Sequence, residues 1–387
     1  MKGVLPPSKS HLIRWALLAA QGPVGGVTRL EGVAGAAGDA HAMRKALVKL
    51  GVPIDLEPDA WLVTGVGPHG FQACPTAIHC ENSGTTMRFL SVAVARIGSP
   101  TMLDGDASLR RRGSPAFWAS LAALGVQTSH GFDEETLPLL VKGPLQPGEL
   151  SLDVSKTSQN LSALLLSMPA MEGPLELSFS GDLVSRRHAQ LSFELAARCG
   201  SANTLDSSTL VPWSCEPPSV VQIPRDGSHV SFLRLFELLH GVSIDFEAPT
   251  AEDSIGADIL TEIDLRESNE IDLRDANDLI TPLAAAMALG GGGQITGAGH
   301  AQLKESARIT RTVELLSAFG IRSEATADGL RIEGGQVPSA PSSLVSTHGD
   351  HRLQMTAVVL ATKVGAEVEG QRLHEVSFPD FLELVQP

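Results

Sequence analysis

Polar and apolar positions along this chain recur in a repeated block. A polar turn rich in Ser, Thr, Gly or Asp opens each block, an apolar helix of about three turns follows, and then a glycine and a strand. The first copy is Ser8-Lys9-Ser10-His11-Leu12-Ile13-Arg14, running into Trp15-Ala16-Leu17-Leu18-Ala19-Ala20. Pro6 and Pro7 end whatever precedes it, because proline fixes φ and offers no N–H. Ser8 or Ser10 is expected to cap the helix, Gly22 to end it, and residues 27–30 to form the next strand.

The block returns at Asn82-Ser83-Gly84-Thr85-Thr86-Met87-Arg88, at Ser155-Lys156-Thr157-Ser158-Gln159-Asn160 and at Asp226-Gly227-Ser228-His229. It returns again at Asp278-Leu279-Ile280-Thr281-Pro282 and at Gly349-Asp350-His351-Arg352. Second helices end alike, in Leu50-Gly51-Val52, Leu124-Gly125-Val126 and Phe319-Gly320-Ile321. Six starts, far wider apart than solenoid repeats, predict six α/β units in two domains of three. The boundary is expected in the proline-bracketed strand at 217–224, giving an N-terminal domain of residues 6–220 and a C-terminal domain of 221–387. Residues 1–5 are too short for an element of their own and are expected to pair near the same hinge. Residues 338–343 read as a loop, and the glycines at 290–293 as a tight helix-to-strand turn.

Composition narrows the class. At 387 residues, 43% apolar and 19% charged, the chain suits a two-domain soluble enzyme. It contains no apolar run of membrane-spanning length and no signal-peptide pattern, so a cytoplasmic location and no membrane partner are expected. Cys74, Cys80, Cys199 and Cys215 lack zinc-ligand spacing and read as reduced core cysteines, with no metal expected. A net charge of −15 argues against nucleic acid. In so acidic a chain, basic residues gathered beside Ser/Thr/Gly turns stand out.

Those residues are Lys9, Ser10 and Arg14; Gly84 and Arg88; Thr157, Ser158 and Gln159; Asp226; Asp278; and His351 with Arg352. Second helices add Arg110-Arg111-Arg112, Ser185-Arg186-Arg187 and Lys304-Glu305-Ser306-Ala307-Arg308. Any one is an ordinary cap, solvated run or surface ion pair. Their recurrence exceeds what capping requires. If the helix N-termini of both domains face an interdomain cleft, dipoles and guanidiniums converge on a substrate with several phosphate or carboxylate charges.

Several runs resemble 5-enolpyruvylshikimate-3-phosphate synthase, in order along the chain. They are Pro7-Ser8-Lys9-Ser10 with Arg14, residues 82–88, Leu103-Asp104-Gly105-Asp106 leading to Arg112, and Thr157-Ser158-Gln159. Gly181-Asp182-Leu183-Val184-Ser185, Leu303-Lys304-Glu305-Ser306 with Arg308, Asp350-His351-Arg352 and Ser377-Phe378-Pro379-Asp380 complete the set. The resemblance implies a two-domain inverse α/β barrel and transfer of the enolpyruvyl group of phosphoenolpyruvate to the 5-hydroxyl of shikimate 3-phosphate. It implies no cofactor. These two small molecules would be the only partners of a chain expected to be monomeric.

By the same resemblance, Asp278, Glu305 and Lys9 would be catalytic, with Asp278 accepting a proton and Glu305 the second carboxylate of proton transfer. Shikimate 3-phosphate would meet Lys9, Ser10, Arg14, Thr157, Ser158, Ser185, Asp278, His300 and Lys304. Phosphoenolpyruvate would meet Lys9, Gly84, Arg112, Gln159, Arg308 and Arg352. The chain departs from the family pattern in three places. Val376 stands where a lysine usually precedes the Ser/Thr-Phe-Pro turn, Ala307 where an acidic residue usually precedes the arginine, and His188 where an aromatic stacks on the shikimate ring. An anion-binding homologue without turnover and transfer to another acceptor are the alternatives. Transfer to UDP-N-acetylglucosamine is disfavoured, because no cysteine lies around 110–115.

Overall fold

The computed structural model describes residues 2–131, 136–246 and 255–386, so Met1 lies outside the described residues. The chain falls into two compact units, Met1–Ser8 with Pro224–Pro387, and Lys9–Ile223. The chain therefore divides at 8/9 and 223/224, against the expected 5/6 and 220/221.

In the unit Lys9–Ile223, three apolar helices lie inside: Lys9–Ala20, Gly84–Ala93 and Gln159–Ser167. Residues 11–20 of the first and 160–167 of the third are buried on every side, as a helix apolar all round must be. A parallel strand pair brackets each helix. Ile78–His79 pairs with Thr101–Asp104 around the second, and Gly148–Asp153 with Leu175–Ser180 around the third. The first helix precedes Val27–Glu31, whose parallel partner is Val220–Gln222 from the far end of the unit.

The other unit repeats the scheme around Val230–His240, Ile280–Leu289 and His351–Val364. Their parallel partners are Lys2–Gly3 with Asp245–Phe246, Asn269–Asp272 with Gly293–Thr296, and a single bridge between Val345 and Val368. Each unit therefore borrows one strand from a distant part of the chain. Lys2–Gly3 forms a short strand of its own, which corrects the expectation for residues 1–5. It is the prolines after it that meet the 224–226 segment: Asp226 N–H donates to the Pro6 carbonyl at 2.9 Å, and Ser8 N–H to that of Pro224 at 2.8 Å.

The repeated turn does two different jobs. Ser83, Asp226 and Asp350 cap their helices, accepting from the N–H groups of Thr86, Ser228 and Arg352. Ser10 sits inside its helix and is no cap. Ser158 and Asp278 do not cap either; their side chains turn to other partners, described below. Gly51, Gly125 and Gly320 end the second helices at φ of 87°, 81° and 74°, left-handed geometry that explains the shared Gly ending.

Candidate active site

In the C-terminal unit the sequence-distant residues 278, 305, 308, 350 and 352 form one cluster. Arg308 opens the helix Arg308–Ala318, and its guanidinium is 1% exposed. Its Nε donates to Asp350 Oδ2 at 3.0 Å, Nη1 to Asp278 Oδ1 at 2.8 Å and Nη2 to Glu305 Oε2 at 2.6 Å. Burial alone would lower the Arg308 pKa, but Asp350, Glu305 and Asp278 outweigh it and raise it. Arg352 Nη2 donates to the other Asp278 oxygen at 3.1 Å and to Ser228 Oγ at 3.0 Å, while its Nη1 meets the Asp278 carbonyl at 3.0 Å. Asp278 thus bridges two buried guanidiniums. Asp226 stands behind Ser228, accepting its hydroxyl at 2.7 Å. Burial works to raise the Asp226 pKa, yet His229, Arg352 and Ser228 hold it well below the carboxylate range.

The unit Lys9–Ile223 presents a second group. Arg88 Nη1 donates to Gln159 Oε1 at 2.8 Å, its Nη2 to the Arg112 carbonyl, and its Nε to Ser114 Oγ at 3.0 Å. Gln159 reaches Thr85 Oγ1 at 3.1 Å, and Arg112 Nη2 meets the carbonyl and side chain of Asn82 at 2.7 and 2.8 Å. Gly84 opens the adjacent helix, where an added Cβ would lie 2.8 Å from Arg88 Nη1. Arg14 is buried over Phe89, donating to Ser192 Oγ at 2.7 Å and to the carbonyls of Ser10 and His188. Ser158 donates to the Ser185 carbonyl at 3.0 Å, and Thr157 Oγ1 accepts from Gln159 N–H at 3.1 Å. Lys9 Nζ pairs with Asp39 at 3.0 Å, and the Asp39 carbonyl accepts from Thr86 at 3.3 Å.

The family model for EPSP synthase (3-phosphoshikimate 1-carboxyvinyltransferase) matches residues 4–200 and 249–385. The chain belongs to the EPSP synthase family. A 3-phosphoshikimate 1-carboxyvinyltransferase of Halobacterium salinarum is 31% identical, over 98% of this chain and 94% of that protein. An EPSP synthase structure from Acinetobacter baumannii superposes with a TM-score of 0.75 at 24% identity, covering 99% of this chain and 94% of that one. The enolpyruvyl transferase NikO from Streptomyces tendae superposes at 0.70 with 15% identity, covering 100% and 94%. The fold is accordingly the two-domain inverse α/β barrel of the EPSP synthases.

The basic runs do not act as units. Arg110-Arg111-Arg112 splits three ways. Arg110 makes a two-pronged pair with Asp104, Arg111 is exposed, and Arg112 alone joins the Asn82 turn. None of the three lies on the helix Pro115–Ser120, because the short helix Ala107–Arg110 stops first. Lys304 and Glu305 likewise precede their helix rather than ride on it; only Arg308 is helical. Arg186 is an exposed partner of Asp206.

Asp39 and Ser192 escaped the sequence reading, since an Asp in a first helical turn and a Ser inside a helix carry no distinguishing pattern. Asp350 was visible as a cap. Its second role, holding Arg308, depends on two segments 42 residues apart and leaves no local trace. Among the described residues no group of His, Cys, Asp and Glu is arranged to hold a metal ion, and no helix is long and apolar enough to cross a membrane.

His300 is buried, and Asn277 Nδ2 donates to its Nε2. Burial and neighbouring Lys304 push its imidazole down to about 4. Its folded pKa lies below the ordinary value of roughly 6.5, so its contribution to stability is present above pH ~6.5 and is lost as pH falls towards about 4. A urea midpoint that drops across this window in the parent should drop less in His300→Gln. An NMR titration of His300 with a midpoint near the ordinary value would show instead that the ring is open to water.

Proposed function

We propose that this chain transfers the enolpyruvyl group of phosphoenolpyruvate to the 5-hydroxyl of shikimate 3-phosphate, releasing phosphate. The observation that carries the reading is the Asp278–Arg308–Arg352–Glu305 cluster in a member of the EPSP synthase family. The chemistry needs a proton delivered to the enolpyruvyl methylene while the acceptor hydroxyl loses one and attacks the neighbouring carbon. Collapse then expels phosphate and returns a proton from the methyl group to a base. Asp278 and Glu305 are the paired carboxylates for these transfers, and Lys9 the ammonium between the anions. Arg352, Arg308 and Arg112, with Lys9, Gly84 and Gln159, would hold phosphoenolpyruvate. Ser10, Arg14, Thr157, Ser158, Ser185, His300 and Lys304, with Lys9 and Asp278, would hold shikimate 3-phosphate. In this proposal a monomer in the cytoplasm suffices.

Lys9 pairs with Asp39, so a substrate anion must compete with that carboxylate. Binding would free this cation rather than find it waiting.

A second reading, anion binding without turnover, is favoured by one observation: the half-buried Val376 supplies no ammonium at its turn. Phosphate release with both purified substrates separates the two. Release that requires both supports transfer. Release with phosphoenolpyruvate and another acceptor, but not shikimate 3-phosphate, points to a different acceptor. None above the blank from folded protein leaves the binding reading.

A further inference from the structure

His229 ends the 3-10 turn Gly227–His229 and is 0% exposed, yet the proposed reaction gives it no part. An imidazole costs free energy to bury unless its nitrogens are engaged, so the groups facing them matter. Nε2 lies 3.2 Å from Ser377 Oγ, and Nδ1 lies 3.6 Å from Asp226 Oδ1. The ring stands edge-on to Phe378, with centroids 5.0 Å apart. A carboxylate facing Nδ1 selects the tautomer with a hydrogen there. His229 therefore presents an N–H to Asp226 and links that residue to the turn at 377–378.

Asp226 passes the constraint on. Its Oδ1 takes the hydroxyl hydrogen of Ser228 at 2.7 Å and accepts from the Ser228 N–H at 3.1 Å. A hydroxyl has one hydrogen, and with that given to Asp226 the Ser228 oxygen has only lone pairs to offer. Arg352 Nη2 donates to them at 3.0 Å. Were Asp226 to swing away, the Ser228 O–H could turn towards Arg352, and the guanidinium would lose its acceptor. Burial works to raise the Asp226 pKa, and His229 is the largest of the influences that lower it. An apolar contact runs the same way. The Phe232 ring lies 6.1 Å from that of His229 and 6.0 Å from the Arg352 guanidinium carbon.

We propose that His229 is a positioning residue for Arg352: it holds Asp226 in place as an acceptor, which keeps the Ser228 oxygen turned to the guanidinium that meets phosphoenolpyruvate. This rests on the reading of Arg352 as part of the phosphoenolpyruvate site. His229 acts through two residues and touches no substrate.

The test compares two amides at 229 in the full-length protein. By bond count, asparagine puts its amide nitrogen where Nδ1 stands and keeps the link to Asp226. Glutamine puts its own where Nε2 stands and keeps only the link to Ser377. His229→Gln should raise the Michaelis constant for phosphoenolpyruvate roughly tenfold, the scale of one net hydrogen bond, with that for shikimate 3-phosphate nearly unchanged. His229→Asn should stay within a factor of about two of the parent in both constants. Ser228→Ala should match His229→Gln, and the double variant should be no worse than Ser228→Ala alone, because both changes cut one chain. Equal losses in the two amide variants, a rise in both Michaelis constants, or additive effects in the double variant would each mark a merely structural histidine and overturn the proposal. Should His229→Gln not fold, a tenfold rise in His229→Asn or none in Ser228→Ala overturns it instead. A parent protein that releases no phosphate from the two substrates removes the function and this inference with it. Release by the parent with an unchanged constant in His229→Gln removes the inference alone.

Discussion

Asp278→Asn should lower turnover at saturating substrates by on the order of a hundredfold or more, the scale expected when a general base is removed. The substitution keeps the shape of the side chain but removes its charge and one acceptor oxygen. In this structure both oxygens are occupied, one by Arg308 at 2.8 Å and the other by Arg352 at 3.1 Å. An amide can accept from only one of these guanidiniums, so the other must shift. The Michaelis constant for phosphoenolpyruvate should therefore rise together with the loss of turnover, while that for shikimate 3-phosphate moves less. Turnover within a few-fold of the parent would remove Asp278 as the proton acceptor. Asp275 would then be the candidate, since one of its carboxylate oxygens is buried without a partner.

That double duty shows what could be read in one dimension and what could not. The inner helices were plain because their apolar character runs all round, and their starts were marked by Ser83, Asp226 and Asp350, residues whose short side chains cap locally. Local chemistry leaves a local signature. The exchange of strands did not, because Val220–Gln222 pairs with Val27–Glu31 across nearly two hundred residues. The Arg110-Arg111-Arg112 run shows the same limit in the candidate site. Three identical side chains meet an aspartate, solvent and a site turn, and only the end of the helix after Arg110 decides which goes where.

Charge balance was legible in total and hidden in detail. Two anionic substrates held side by side repel each other, so cations have to outnumber acids where they meet. Around Arg308 and Arg352 the reverse holds: Asp278, Glu305 and Asp350 supply three carboxylates against two guanidiniums. Asp350, 0% exposed, is also a cap, and its charge is absorbed by Arg308, Ser306 and the first turn of its own helix. A buried carboxylate so fully engaged orients the guanidinium rather than binding anything itself. The three carboxylates hold both guanidiniums in place and offset their charge.

This deficit makes position 376 matter. Val376 closes the short 3-10 turn Leu373–Val376, and the next residue, Ser377, meets His229 Nε2 at 3.2 Å, beside Asp226. The turn is thus anchored to the same network that supports Arg352 through Ser228. The two cations nearby in sequence do not fill the gap. Lys363 lies in the last turn of the helix His351–Val364, some 16 Å along its axis from Arg352, and Arg372 is exposed and paired with Glu375 at 2.6 Å. A lysine at 376 would add a charge-assisted hydrogen bond worth about 1.5 to 3 kcal/mol to a bound phosphate or carboxylate. Val376→Lys should accordingly lower the Michaelis constant for phosphoenolpyruvate by roughly ten- to a hundredfold, and leave that for shikimate 3-phosphate nearly unchanged. Initial rates with each substrate varied against a saturating partner measure both constants. An unchanged or higher constant for phosphoenolpyruvate would mean that the side chain at 376 does not reach it. Turnover that is weak in the parent and rises in the variant would identify an enzyme short of one cation, and would exclude a protein that only binds.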